Sequence, residues 1–260
     1  MRTSRVLKRL RNGQVARICS TSHFIPYFPH LAAHFGYDGV WVDGEHSNWN
    51  PREIEAMITQ HHLADIDCVW RTPTVEKSKL YRLLEDGATG LMIPQVNTLE
   101  RARELANATK FPPIGDRGLD GAGMDAGFWV KKPDDYPQFA NRETFLVVQI
   151  ETPLALENAE AIAALAGVEV LFMGPGDLSM RLGCKPSLQE PKLRAALETM
   201  IAAAHKHGKP WGYPVGTVQD AKLILDMGCR FLVFGYEMWG IHNHLESCRA
   251  QLDKLLGSAP

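Results

Sequence analysis

The sequence predicts an α/β fold, a single (β/α)8 or TIM barrel spanning residues 1–260. Three observations carry that expectation. Eight short apolar runs recur along the chain, each followed by a segment of helical character. The runs are continuously apolar rather than alternating, as strands buried on both faces of a parallel sheet are. Eight such units within 260 residues match the roughly 250 residues of a closed barrel. An open doubly wound sheet is the rival arrangement, and eight units fit closure better.

The basic start, "MRTSRVLKRLRNG", reads as a solvated first helix ending at Gly13. It has no apolar core of the kind a signal peptide needs. Strands are expected at "VARICS" (15–20), "GVWVD" (39–43), "DCVWR" (67–71) and "TGLMIP" (89–94). Four more follow at "TFLVVQIE" (144–151), "VEVLFMG" (168–174), "PWGYPV" (210–215) and "RFLVFG" (230–235). Helix starts have suitable chemistry. Asn50, Pro51 and Glu53 supply a cap, a proline at the first helical position and a capping-box acid. Asn97 to Glu100 is expected to repeat the box, and Thr217 to Asp220 is a weaker version. A glycine- and proline-rich connection at about 111–143 is too long for a plain crossover; such loops cover sites or mediate contacts. The C-terminal helical segment at about 241–257 carries Leu245, Leu252, Leu255 and Leu256. They need burial, and the barrel already has its eight helices, so this segment is expected to pack on another copy of the chain.

Composition narrows the function. The chain is 45% hydrophobic and 22% charged with a net charge of -2, an ordinary globular balance that gives no reason for a nucleic-acid or anionic-membrane partner. No apolar run approaches the ~18 residues of a membrane span. The five cysteines are odd in number and contain no C-x-x-C pair, as suits structural thiols in a reducing cytoplasm.

Barrels of this kind place their chemistry on the loops after the strands. Those positions hold Asp43, Glu45 and His46, then Arg71, Pro94 and Gln95, then Gln149 and Glu151. The sixth strand leads to Gly174, Pro175, Gly176 and Asp177, and the last two add Tyr213, Tyr236 and Glu237. Glu151 or Asp177 alone could be a helix-terminal acid. Two carboxylates on neighbouring strands repel unless a cation or a proton lies between them. All-oxygen donors point to a hard divalent ion, with roughly four of six positions left to water and substrate. The glycine-rich turn before Asp177 offers free N–H groups to an anion. Arg71 either pairs with a core acid or meets a developing oxyanion. His46 lies three residues after Asp43, close enough for the acid to orient the ring as a general base.

At these residues the chain resembles a known family. "VDGEHSNWN" (42–50), "PQVNTLERAR" (94–103), "FPPIGDRG" (111–118), "VVQIET" (147–152) and "MGPGDLS" (173–179) together look like the HpcH/HpaI family of class II pyruvate aldolases. The resemblance implies reversible cleavage of a 4-hydroxy-2-oxo acid to pyruvate and an aldehyde. Glu151 and Asp177 would hold Mg2+, Mn2+ or Co2+, with Gln149 beside the pyruvyl group and Arg71 on the enolate oxygen. Asp43 and His46 would be the acid–base pair, supported by Glu45, and the amides of Gly176 and Asp177 would hold the pyruvyl carboxylate. It also implies a hexamer that exchanges its last helix between subunits. The segment before the second strand, the stretch at 119–130 and "GYEMW" (235–239) depart from the family pattern and are expected to shape the aldehyde side. Related enolate chemistry, as in an oxaloacetate decarboxylase or a cyclising synthase, is the alternative; a non-catalytic barrel is a further one. A Schiff-base aldolase needs a lysine inside the barrel, and no strand ends in one: Lys209 precedes its strand, and Lys131 and Lys132 fall in the long loop.

Overall fold

The computed structural model describes residues 2–130 and 134–257, which leaves Lys131 and Lys132 outside the described residues. Its strands are β1 (Ala16–Thr21), β2 (Gly39–Asp43), β3 (Asp67–Arg71), β4 (Gly90–Ile93), β5 (Phe145–Ile150), β6 (Val170–Met173), β7 (Trp211–Val215) and β8 (Phe231–Tyr236). They close in sequence order into a parallel barrel, β8 pairing with β1. The helices are α1 (Arg5–Arg11), α2 (Phe28–His34), α3 (Pro51–Leu63), α4 (Lys77–Glu85), α5 (Leu99–Thr109) and α6 (Tyr136–Glu143). The remainder are α7 (Pro153–Glu157), α8 (Ala159–Ala163), α9 (Pro175–Leu182), α10 (Pro191–Lys206), α11 (Val218–Asp226) and α12 (Glu237–Leu256).

Strand periodicity divides the side chains into two layers. Ile18, Val69, Met92, Val147, Phe172 and Phe231 fill the barrel interior. Val40, Cys68, Leu91, Val148 and Leu171 belong to the outer layer, beneath the helices. Glycines opposite the interior rings make room for them: a Cβ on Gly90 would lie 2.4 Å from Phe145, and one on Gly212 2.7 Å from Phe172. The same parity carries upward to the carboxyl ends of the strands. Residues 39, 41 and 43, 67, 69 and 71, and 145, 147, 149 and 151 share faces, so Asp43, Arg71, Gln149 and Glu151 share the inward parity.

The amino-terminal end of the barrel is closed by α1. Val6 and Leu7 pack into the interior cluster. Ser4 caps the helix by accepting from the Leu7 amide, and its hydroxyl donates to Asp67 at 2.5 Å. Gly13 follows with φ +66°, the left-handed turn that ends the helix.

The Asn50 capping box is complete: Oδ1 accepts from the Arg52 and Glu53 amides, and Glu53 returns the bond to the Asn50 amide. The second expected box slips by one residue. Thr98, not Asn97, caps α5, accepting from the Arg101 amide. Asn97 is engaged elsewhere, its Oδ1 accepting from Thr152 Oγ1 at 2.6 Å.

The long connection differs from its expected place over a site. It links α5 to β5, and such αβ loops lie opposite the βα loops. The Asp125 amide donates to the Glu85 carbonyl, and Met124 packs against Gly87, both anchors at the amino-terminal end of β4. Arg117, Asp125 and Tyr136 form a buried network beneath it. The stretch at 119–130 therefore does not line the cavity at the barrel mouth.

Candidate active site

Register sets the first contact at the mouth. Asp43 and Arg71 are paired residues on adjacent strands. The guanidinium meets the carboxylate in a two-point contact, Nε to Oδ1 at 3.0 Å and Nη2 to Oδ2 at 2.7 Å. Nη1 lies 3.1 Å from Glu45 Oε2. The same group sits over the Trp41 ring, 4.6 Å from its centre, a face that attracts cations. The Arg71 neighbour holds the Asp43 carboxyl below its usual range, against the opposing effect of burial, which is the largest single influence.

Asp43 has a second task, different from the one expected of it. Its Oδ1 also accepts from the Glu45 amide at 3.0 Å and from the His46 amide at 3.3 Å. It shapes the loop backbone and does not contact the His46 ring. The carboxylate beside that ring is Glu45, with Oε2 3.5 Å from Nε2. The His46 side chain is 65% exposed.

Glu151 stands on the other side of the mouth, just past β5, and is almost wholly buried. Burial pushes its carboxyl up to about 7; the Gln95 amide opposes this, and the charges of Asp177 and Glu45 add to it. Oε1 accepts from the Gln95 amide at 2.7 Å and Oε2 from Gln149 Nε2 at 3.2 Å. Gln95 adopts φ 51°, a conformation uncommon for a residue with a side chain. The strain aims a backbone N–H at a carboxylate. Gln149 Oε1 is buried with no partner among the described residues. Gly174 is required beside this group, since a Cβ there would lie 2.1 Å from Glu151 Oε2.

Asp177 does not cap α9. Gly174 is the cap and Pro175 the first helical residue, so Gly176 and Asp177 present first-turn amides. The Asp177 carboxylate binds Arg181 one turn on, Oδ1 to Nη1 at 2.6 Å, and is 37% exposed.

These donors fit a hard divalent cation. They are all oxygens, one carboxyl is held near neutrality by burial and like charge, and a buried amide oxygen lacks a donor. Among the described residues no group of three or more His, Cys, Asp or Glu could hold an ion unaided; two carboxylates would leave the other positions to water and substrate.

Other expected members lie elsewhere. Tyr213 points into the outer apolar layer. Glu237 holds the loop after β1, its Oε1 accepting from the Ser22 amide at 2.7 Å and contacting His23 Nδ1 at 2.8 Å. Sequence reasoning overlooked Trp41, although parity with Gly39 and Asp43 places it under Arg71. Its oversight of the Gln95 backbone has no remedy, because nothing in the sequence marks that φ. A cavity of 930 Å³ opens from Asp43 and Arg71 toward β7, β8, β1 and the start of α12, and among the described residues no lysine lines it. The buried Lys110 and the half-buried Lys209 donate instead to backbone carbonyls at Thr144 and Val168.

A closed parallel barrel with Asp43, Glu45, Arg71 and Glu151 gathered at its carboxyl-end mouth has the form of a (β/α)8 enzyme. The chain belongs to the HpcH/HpaI aldolase/citrate lyase family, whose model matches residues 24–241. It is 34% identical over 218 residues to a hydroxypyruvate/pyruvate aldolase of Delftia acidovorans, covering 82% of this chain and 79% of that one. It is 35% identical over 216 residues to a 4-hydroxy-2-oxo-heptane-1,7-dioate aldolase of Escherichia coli, covering 81% and 80%. The crystal structure of an HpcH/HpaI aldolase from Desulfitobacterium hafniense superposes with a TM-score of 0.89 at 28% identity, covering 97% and 98%. The protein is thus an enzyme of the lyase class.

Proposed function

We propose that the enzyme reversibly cleaves a 4-hydroxy-2-oxo acid to pyruvate and an aldehyde, using Mg2+, Mn2+ or Co2+ held by Glu151 and Asp177. The observation that carries this reading is the pairing of two unlike half-sites at one mouth. The buried oxygens of Gln149 and Glu151 at the end of β5 face the more exposed Asp177 carboxylate after β6, and a guanidinium set between two carboxylates lies on β2 and β3. When bound, the cation supplies Lewis-acid polarisation of the 2-oxo oxygen.

The chain's own residues do the rest. The amides of Gly176 and Asp177, in the first turn of α9, donate to the pyruvyl carboxylate. Gln149 lies beside the 2-oxo group. In cleavage the C3–C4 bond breaks, its electron pair forms the enolate across C2 and C3, and the C4 hydroxyl gives up its proton as C4 becomes the aldehyde carbon. Arg71 faces the enolate oxygen, where fixed positive charge counts most. His46 takes the hydroxyl proton, and Glu45, 3.5 Å from the ring, stabilises the imidazolium. Asp43 is a positioning residue that fixes Arg71 and the 45–46 backbone.

The same reading includes a homo-oligomer with exchanged helices, a hexamer by family resemblance. Only Glu237 is buried in the 20-residue α12, and Leu245, Leu252, Leu255 and Leu256 are exposed. An apolar slot lined by Phe35, Tyr37, Leu232 and Phe234 lies outside β8 and β1, where an eighth helix would cover the barrel. A second copy's α12 suits it. Among the described residues no helix is long and apolar enough to cross a membrane. Buried, unpaired Cys19, Cys68 and Cys229 suit a reducing cytoplasm. Incubating metal-supplemented enzyme with pyruvate and a panel of aldehydes tests the reaction: 4-hydroxy-2-oxo acids are expected. Release of carbon dioxide from oxaloacetate with no condensation product would favour the decarboxylase alternative.

A further inference from the structure

The aldehyde half of the reaction has a wall of its own, and its chemistry is uneven. This inference rests on the aldolase reading above. The donor-side groups Gln95, Gln149 and Glu151 belong to β4 and β5, whereas the open cavity runs from Asp43 and Arg71 toward β7, β8, β1 and α12. An acceptor bonding to the enolate carbon extends into that second region.

Charge is scarce there. Among the described residues lining the cavity, Arg71 is the one cation and Asp43 the one anion. Arg71 is engaged by Asp43 and Glu45, and what it has left faces the enolate oxygen. A carboxylate on the acceptor would find no free cation on this wall and would approach Asp43, and an unpaired charge in a partly desolvated site is costly.

Neutral polar groups are plentiful instead. Ser22 Oγ accepts from the Tyr236 hydroxyl at 3.2 Å and has capacity for a further bond. Ser20 Oγ reaches the Gly235 carbonyl at a long 3.4 Å. Asn243, in the second turn of α12, lines the cavity, and its carboxamide has no hydrogen bond to any described residue. Trp239 lies at the same rim with 63% of its surface exposed. An indole face for C–H groups beside hydroxyl and amide partners is the combination that holds a hydroxylated carbon chain.

We propose that the acceptor is an uncharged, hydroxylated aldehyde held by Ser22, Tyr236 and Asn243 against Trp239, and that aldehydes bearing a carboxylate are selected against. In the synthetic direction the enolate C3 bonds to the aldehyde carbon. The carbonyl electron pair moves to oxygen, which takes a proton from His46.

The test compares glyceraldehyde with succinic semialdehyde as partners for pyruvate, with exchange of pyruvate methyl protons into D2O followed separately without aldehyde. Glyceraldehyde is expected to show about tenfold higher kcat/KM or more, the worth of one or two well-made hydrogen bonds. Asn243→Arg adds a cation at the rim and is expected to move the ratio about tenfold toward the acidic aldehyde. Ser22→Ala is expected to lower glyceraldehyde use several-fold, on the order of one hydrogen bond, while propionaldehyde, which has no hydroxyl, is little affected. Normal proton exchange with succinic semialdehyde used as well as glyceraldehyde overturns the proposal. So does a ratio that neither variant moves. Absence of proton exchange would instead strike the aldolase reading, and this inference with it.

Discussion

Replacing Arg71 with methionine removes one cation from between two carboxylates and keeps much of the apolar stem. The three side chains concerned, Arg71, Asp43 and Glu45, are only 10%, 12% and 15% exposed, so solvent screens them weakly. Two unit charges ~4 Å apart at an effective dielectric of ~20 interact by about 4 kcal/mol. Breaking a buried pair on one side costs about 3–5 kcal/mol, in agreement. The loss is expected to depend on pH. The folded Asp43 carboxyl lies below its ordinary value of 3.8, because Arg71 and the Glu45 and His46 amides together outweigh the burial that would raise it. A depressed carboxylate contributes stability above its unfolded pKa and loses it as pH falls through the folded one. Without Arg71 most of that contribution is lost at neutral pH, and burial, opposed then by the Glu45 and His46 amides alone, shifts Asp43 upward. The variant should therefore be weaker by about 3–5 kcal/mol at pH 7, with the difference shrinking toward pH 4 as Asp43 takes up a proton. Urea unfolding at fixed protomer concentration reads this directly, and Asp43→Asn in the same chain should recover part of the loss. A cost below ~1 kcal/mol at pH 7, the level of an exposed ion pair, would refute the picture of a buried, mutually dependent trio. Turnover should fall by about 10²–10³-fold as well, the usual effect of losing one oxyanion donor.

Three other outcomes follow from named groups. His46→Ala should lower turnover by about 10²–10⁴-fold with pyruvate affinity nearly unchanged, and Glu45→Gln should be milder; normal turnover in His46→Ala would remove the ring from the mechanism. Light scattering at micromolar concentration should find an oligomer, and a chain ending before Leu245 should dissociate; a full-length monomer would contradict the exchanged α12. Burial pushes His61 down to about 4 from 6.5, and its Nδ1 donates to the Met57 carbonyl at 2.8 Å. A depressed histidine stays neutral in the fold while the unfolded chain takes a proton, so stability is lost as pH drops below 6.5. Between pH 7 and 5 this site should cost about 2 kcal/mol at ~1.36 kcal/mol per pH unit. His61→Met should lose correspondingly less over the same interval in thermal melts.

Much of the fold was legible because strand and helix boundaries are written locally. "GVWVD" and "DCVWR" coincide with β2 and β3 to the residue, since Gly39 and Asp67 mark their starts and the apolar runs end at ionisable groups. The Asn50 box was equally local. The Thr98 cap was not, because Asn97 is diverted by Thr152 from another loop, a contact no single segment reveals. The direction of the long connection follows from topology: a segment between a helix and the next strand returns to the amino-terminal end. At the mouth, residue types were readable from position after each strand, but their partners were not. Register places Asp43 opposite Arg71, so the acid serves the guanidinium and the loop amides, and Glu45 is left beside His46. That depends on pairing between strands, and the strained Gln95 backbone depends on the assembled site.

The most direct test of the central claim is exchange of pyruvate methyl protons into D2O, followed by NMR in chelator-treated enzyme and again after Mg2+, Mn2+ or Co2+ is restored. Exchange reports enolate formation alone, independent of any aldehyde. If the central claim holds, exchange is absent in chelator and fully recovered with metal, and a folded Glu151→Gln or Asp177→Asn variant shows neither metal binding nor exchange. Undiminished exchange in excess chelator, or pyruvate trapped on the protein by borohydride, would contradict it.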